Sequence, residues 1–154
     1  MRIRRYRPED IDAVVELFRD TVRSVNRCDY STDQVVAWAP DAIDAERWHA
    51  RMASHLSVVA VQDDDIVGFA ELTADGVVLM MFVHKDTQRQ GVGTALLAAL
   101  EHEARGNGVH EMKTESSITA VPFFEAHGFD VRVTQDLHLK GQPFRNYEMR
   151  KRLV

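Results

Sequence analysis

The chain reads as an α/β or α+β layer built on a mixed sheet, on three observations. Its hydrophobic period changes from helical to extended after about residue 55, and then alternates between the two. Two turn signals, Asp63-Asp64-Asp65 and Asp75-Gly76, cut the apolar stretch that follows into three short runs, as a β-meander requires. With 154 residues, 45% hydrophobic and 28% charged, the chain has the size and balance of one globular domain, not of a disordered segment.

Residues 1–6 set Ile3 between arginines and read as a first strand. Pro8, Glu9 and Asp10 then open a helix: proline suits a first turn, and acids suit the positive end of the helix dipole. Ile11, Val14, Val15, Phe18, Val22 and Val25 recur every three or four residues, which is one buried helical face. Ser31 and Gln34 have capping-box spacing before Val35, Val36 and Trp38, and Pro40 ends that short helix. Asp44 starts a third helix carrying Trp48 and Met52.

Residues 56–61, 66–72 and 77–83 are the three runs of the meander. The last is almost wholly apolar and predicts a central strand buried on both faces. Residues 91–104 are helical, with Val92, Leu96, Leu97 and Leu100 on one side and Gly106-Asn107-Gly108 as the stop. A strand at 109–114, a helix at 119–126 with Gly128 as its left-handed exit, and closing strands at 129–133 and 144–149 around Gly141 complete the order β-α-α-α-β-β-β-α-β-α-β-β.

The sharpest local feature is Gln88-Arg89-Gln90-Gly91-Val92-Gly93-Thr94, between an apolar strand and a helix. Glycines let backbone approach a ligand closely, and the first helical amides are unpaired and electropositive. Together they make a cradle for phosphate, to which Arg89 adds a charge. No Gly-Lys-Ser/Thr follows, so it is not a Walker A loop. Leu96 fills the third glycine position of a dinucleotide fingerprint.

This Q-x-x-G-x-G pattern after a hydrophobic strand resembles motif A of the GNAT superfamily of N-acetyltransferases. The run from Ser117 to Phe129, with Phe123-Phe124-Glu125 and Gly128-Phe129, resembles the closing motif of that family. Phe82-Val83-His84 stands where the family has a Val-x-Pro strand exit. The chain especially resembles small single-domain bacterial members that carry a Ser-x-Thr-Ala-x-Pro-Phe-Phe-Glu run, here Ser117 to Glu125, some of which also have a Tyr-Ser followed by Gln and Ala-Trp-Ala, here Tyr30-Ser31, Gln34 and Ala37-Trp38-Ala39.

The resemblance implies one acetyl-CoA-binding domain over 1–154. Its sheet would be mixed and mostly antiparallel, with six to seven strands and helices on both faces. The implied activity is direct acetyl transfer from acetyl-CoA to an amine of a small molecule or peptide, with no metal. On the same resemblance, the backbone of Met81, Phe82 and Val83 would hold the acyl and pantetheine part. Arg89, Gln90, Gly91, Val92, Gly93 and Thr94 would hold the pyrophosphate, with Gln88 fixing the loop. Ser117 stands where many members have an asparagine facing pantetheine, and Ala120 and Phe124 would line that channel. A homodimer is a family-level expectation.

The chain departs from the pattern at two catalytic positions. Many members have a tyrosine at Phe124 that protonates the departing thiolate, and phenylalanine carries no such proton. Tyr147, Tyr30, Ser116 and Ser117 are the candidate substitutes, Tyr147 leading because the C-terminal strand borders the acyl end in this fold. The strand 77–83 carries no acid, so Glu71 on the preceding strand is the candidate base. His84 and His127 read instead as a loop residue and a helix C-terminal cation. The acceptor pocket would come from about residues 24–52 and 134–147, with Asp29, Tyr30, Trp38 and Trp48 as an aromatic, mildly acidic lining. The missing acid and base also motivate an alternative, a non-catalytic acyl-CoA-binding or sensing domain. A nucleotide-binding regulator rests on Gly-x-Gly alone.

Composition sets the remaining expectations. A net charge of -5 argues against a general nucleic-acid binder. No apolar run reaches the roughly 20 residues of a membrane span, and the charged start lacks a signal-peptide core, so a cytoplasmic location is expected. The single cysteine, Cys28, reads as a buried structural thiol. The seven histidines are scattered, His49 and His55 lying six apart, which is poor metal-ligand spacing.

Overall fold

A computed structural model describes residues 1–153. The elements are β1 (Arg2–Arg5), α1 (Ile11–Ser24), α2 (Thr32–Trp38), α3 (Ala45–Ser54), β2 (Leu56–Gln62), β3 (Asp65–Leu72) and β4 (Val77–Val83). Then come α4 (Val92–Gly106), β5 (Glu111–Ser116), α5 (Val121–Ala126), β6 (Asp130–Leu139) and β7 (Gln142–Arg152). The strands form one sheet, ordered β1-β2-β3-β4-β5-β7-β6, antiparallel except where β4 meets β5.

Local chemistry starts the first three helices as expected. The Ser31 side chain accepts from the Gln34 amide while the Gln34 side chain accepts from the Ser31 amide, closing the capping box of α2. Asp44 caps α3 through the Arg47 amide. Asp10 takes two hydrogen bonds from Arg4 at 2.8 and 2.9 Å and a third from the Arg7 amide, tying β1 to the entry of α1. This pairing holds the Asp10 carboxyl below its ordinary range.

Apolar cores fill both sides of the sheet. Val14, Leu17, Phe18 and Val22 of α1 pack with Val35, Met52, Val59 and Phe69 on one face. Leu96, Leu97 and Leu100 of α4 pack with Val58, Ala70, Leu72, Met112 and Met149 on the other. β2 alternates between these cores, which explains its nearly continuous burial. Gly68 of β3 is what lets α4 lie close: a Cβ there would stand 2.8 Å from Val92 Cγ1 and 2.9 Å from Leu96 Cδ1.

Four expectations are corrected. β4 is not buried on both faces; only Val78 is, and Leu79 is 42% exposed. Its parallel pairing with β5 stops after Val77 and Val78, so the rest of the strand borders open space. β6 and β7 run well beyond 129–133 and 144–149. Polar residues at Gln135, Asp136 and His138 hide the period of β6, and pairing with β7 defines it. Its tip, Lys140-Gly141, has two positive φ angles, as a tight hairpin turn needs. Val25 caps the end of α1 rather than extending it. Cys28 is exposed, because it lies on a single turn that follows α1 instead of on a packed face.

Candidate active site

The site begins as a fault in the sheet. Leu72 of β3 pairs with Val78, but Glu71 pairs with Met80, so Leu79 is an extra residue bulged out of β4. Just there β4 also parts from β5. The gap opens into a cleft of about 400 Å³, within the size range of small-molecule sites. Val78 to Val83 form one side of it, and Thr114 to Ser117 the other.

The loop after β4 is tightly organised. The Gln88 side-chain amide donates to the Val83 carbonyl at 2.7 Å, and the His84 ring accepts from the Asp86 amide at 3.0 Å. Arg89 and Gly91 both take left-handed backbone, φ 59° and 85°. Gly91 is the N-cap of α4, and no side chain caps that end. Arg89, Gln90, Gly91 and Thr94 are exposed, while Val92 is buried in the core and offers only backbone outward. Gly93 has a packing reason besides ligand access: a Cβ there would stand 2.9 Å from Phe123 Cε1. Thr94 Oγ1 lies 3.0 Å from His127 Nε2, and His127 Nδ1 lies 2.8 Å from the Phe123 carbonyl oxygen.

Of the residues expected to meet acetyl-CoA, Met81, Phe82, Val83, Gln88, Gly93, Ser117, Ala120 and Phe124 line the cleft. Ser117 Oγ accepts from the Ala120 amide and so shapes the entry to α5. Phe124 is 4% exposed and packs edge-on against Phe129.

The catalytic candidates separate. Tyr30 lines the cleft, and its hydroxyl accepts from the Ile118 amide at 2.8 Å. Thr119 donates to Asp29 at 2.8 Å, so two bonds tie the loop after α1 to the entry of α5. Burial raises the Tyr30 phenol above its ordinary pKa. Tyr147 packs against the Phe124 and Met149 cluster and is not among the lining residues, whereas Phe144, Arg145 and Asn146 of the same strand are. Ser116 is buried and donates to the Ser117 carbonyl. Glu71 also lies outside the cleft; it is fully buried and held by Arg51 Nε at 3.0 Å and His55 Nδ1 at 2.7 Å.

The four residues expected to line an acidic, aromatic acceptor pocket lie in different places. Tyr30 and Trp38 line the cleft, but Trp48 sits in a separate hollow beneath Arg51, 4.7 Å from its ring, and Asp29 is taken by Thr119. The carboxylate among the described lining residues is Glu115, an exposed residue of β5 between buried Thr114 and Ser116. Sequence alone did not single it out, since nothing in a short polar strand says which side of the sheet lacks a helix. Among the described residues no three His, Cys, Asp or Glu side chains converge as a metal site needs, and no helix is long and apolar enough to cross a membrane.

Comparison with known proteins agrees with this geometry. The model of the acetyltransferase (GNAT) domain family matches residues 26–151. The chain is 33% identical over 150 residues to the uncharacterized N-acetyltransferase YafP of Escherichia coli (strain K12), covering 97% of this chain and 95% of that one. A GCN5-related N-acetyltransferase structure (aminotransferase, class-II) from Rhodopseudomonas palustris superposes with TM-score 0.94 at 30% identity, covering 98% of this chain and 94% of that one. The fold also matches the PaiA N-acetyltransferase of Thermoplasma acidophilum, a coenzyme A complex, with TM-score 0.83 at 20% identity over 98% of both chains. A bulged β4 parted from β5, a left-handed glycine opening α4 and a match across most of the chain converge: this protein belongs to the GNAT family of acetyltransferases.

Proposed function

We propose that the chain, as a single domain, transfers an acetyl group from acetyl-CoA directly to a primary amine in the cytoplasm. The observation that carries this reading is the cleft itself. It runs from the freed edge of β4 to Gln88 and Gly93, beside the uncapped start of α4, with Arg89, Gln90, Gly91, Val92 and Thr94 outside its lining. An extended amide-bearing arm suits the first, and a pyrophosphate suits the second. Arg89, exposed beside Gly91, supplies a phosphate-binding charge.

In the reaction the amine nitrogen forms a bond to the thioester carbon and the carbon–sulfur bond breaks. An acceptor that arrives as an ammonium first gives one proton up, the nitrogen gives up a second as the amide forms, the sulfur takes one, and one leaves to water. Tyr30 is the proton donor we assign to the sulfur. Its oxygen already accepts from Ile118, which orients the hydroxyl, and its raised pKa keeps it protonated. Glu115 is the acceptor we assign for the amine proton, as the carboxylate of the cleft.

Phe124 favours a second reading, a domain that binds acyl-CoA without turnover. Calorimetric titration with acetyl-CoA, followed by mass detection of acetylated amines, separates the two. Binding with turnover supports the enzyme, and binding without turnover over a broad amine panel supports the sensor. Preference for ATP over CoA overturns both.

A further inference from the structure

We infer that the acceptor is an aryl monoamine: one primary amine carried on a flat aromatic body, rather than a polyamine or an aminosugar. This rests on the acetyltransferase reading and concerns the acceptor half of the same cleft.

One wall of that half is aromatic. The Trp38 ring lies 5.2 Å from Tyr30 and 6.3 Å from each of Phe144 and Phe82, centre to centre, and all four line the cleft. The rest of the lining includes three leucines: Leu79, the bulged residue of β4, and Leu137 and Leu139 of β6, Leu137 pairing directly with Phe144. These three leucines are 42%, 38% and 37% exposed, and together in one cleft they form an uncovered apolar patch. A flat apolar guest would cover them while stacking on the rings.

The polar groups of the cleft limit the guest further. Most are already engaged within the protein. Thr21 donates to the Val83 carbonyl, Thr114 to Val78, Thr119 to Asp29, and Arg145 is paired with Asp136. A polyhydroxylated guest would therefore bury hydroxyls against apolar walls without partners, which is costly. Two oxygen acceptors are differently placed. Asn146 Oδ1 is buried with no hydrogen-bond partner. Glu115 joins neither of the ion pairs its β5 neighbours Lys113 and Glu111 make with Glu148 and Arg150. Acceptors without donors call for a few donor hydrogens, which one ammonium supplies without adding acceptors of its own. With Arg145 neutralised by Asp136, the lining holds one uncompensated negative charge, enough for one ammonium. A polycation would leave its remaining charges unpaired.

The test compares kcat/KM for phenethylamine and 1-naphthylmethylamine with n-butylamine, spermidine and kanamycin, at saturating acetyl-CoA. The aryl amines should lead by about tenfold or more, the scale on which apolar pockets discriminate. Trp38→Ala and the less disruptive Leu139→Ala should each erase most of that lead. The lead is read within each variant as the ratio of aryl amine to n-butylamine, and the calorimetric affinity for acetyl-CoA reports whether the donor half of the cleft is intact. Preference for spermidine or kanamycin, or an equal loss for all amines in both variants, overturns the inference. If acetyl-CoA binds and no amine turns over, the enzyme reading fails separately. The pocket is then judged by binding: in a Trp48→Phe background Trp38 is the remaining indole of the two in the chain, and 1-naphthylmethylamine must quench it when n-butylamine does not. No quenching overturns the aryl assignment.

Discussion

Replacing Tyr30 by phenylalanine removes one oxygen and almost no volume, so its effects can be worked out from that oxygen alone. The hydroxyl accepts from the Ile118 amide at 2.8 Å. Leaving that partly buried donor unpaired should cost about 1 kcal/mol, the low end for a lost partner, because solvent reaches part of the segment. That corresponds to a fall in melting temperature of about 2–4 °C in a chain of this size. The catalytic loss should be larger. A positioned acid contributes about 10²–10⁴-fold, and a thiol that titrates near 8.5 leaves fairly easily, so about 10² in kcat is expected. In barrier height that is about 2.7 kcal/mol.

The pH profile adds a second mark. Because burial raises the Tyr30 pKa, the phenol stays protonated up to and beyond about pH 10, its ordinary value. Wild-type kcat should therefore show no descending limb from this group below that pH. The assay is kcat at saturating acetyl-CoA from pH 6 to 10 for wild type, Tyr30→Phe, Tyr147→Phe and the double variant Tyr30→Phe with Phe124→Tyr. The double variant should regain part of the lost rate by moving the hydroxyl to the position where related proteins use it. Tyr147→Phe should stay within about twofold, as a residue outside the cleft would. A wild-type rate and profile in Tyr30→Phe, or a 10²-fold loss in Tyr147→Phe, would refute the assignment.

Other outcomes follow from the same geometry. Glu71→Gln should destabilise the fold by about 3 kcal/mol in urea, by stranding Arg51 and His55, yet leave kcat/KM unchanged; a selective loss of kcat would return Glu71 to the reaction. Gly91→Ala meets no neighbour but must hold φ 85°, so it should cost about 1–2 kcal/mol and weaken acetyl-CoA through the loop, as calorimetry would record. Gly93→Val should weaken acetyl-CoA more, because it also pushes on Phe123, a cleft residue; unchanged affinity in a folded protein would count against the loop as the phosphate site. Asp10→Asn should cost about 2 kcal/mol at pH 7. The Asp10 pKa is lowered on folding, so this contribution is present above the ordinary carboxylate range and lost as pH falls through the folded value. The variant and wild type should therefore converge in stability in strong acid.

Much of this protein was determined by local sequence. The helical stripe from Ile11 to Val22, the capping box at Ser31 and Gln34, the turn at Asp75-Gly76 and the left-handed exit at Gly128 each act within a few residues, so their order along the chain is legible without the fold. The glycine loop was legible for the same reason: its chemistry is backbone chemistry, and Gly91 adopts the conformation that only glycine takes cheaply. What the sequence could not carry is where side chains from distant segments meet. An apolar run such as 77–83 looks the same whether a neighbouring strand stays or departs, so the cleft beside β4 exists only once β5 peels away after Val78. Which part of β7 reaches the cleft, Phe144 to Asn146 and not Tyr147, depends on the register of β7 against β5 and β6. Glu71 appeared to be a free acid until α3 brought Arg51 and His55 against it, and Glu115 appeared ordinary until no helix covered it. Charge pairing and exposure arise from contacts between elements far apart in the chain, and so the tertiary structure alone decided which carboxylate and which tyrosine face the cleft.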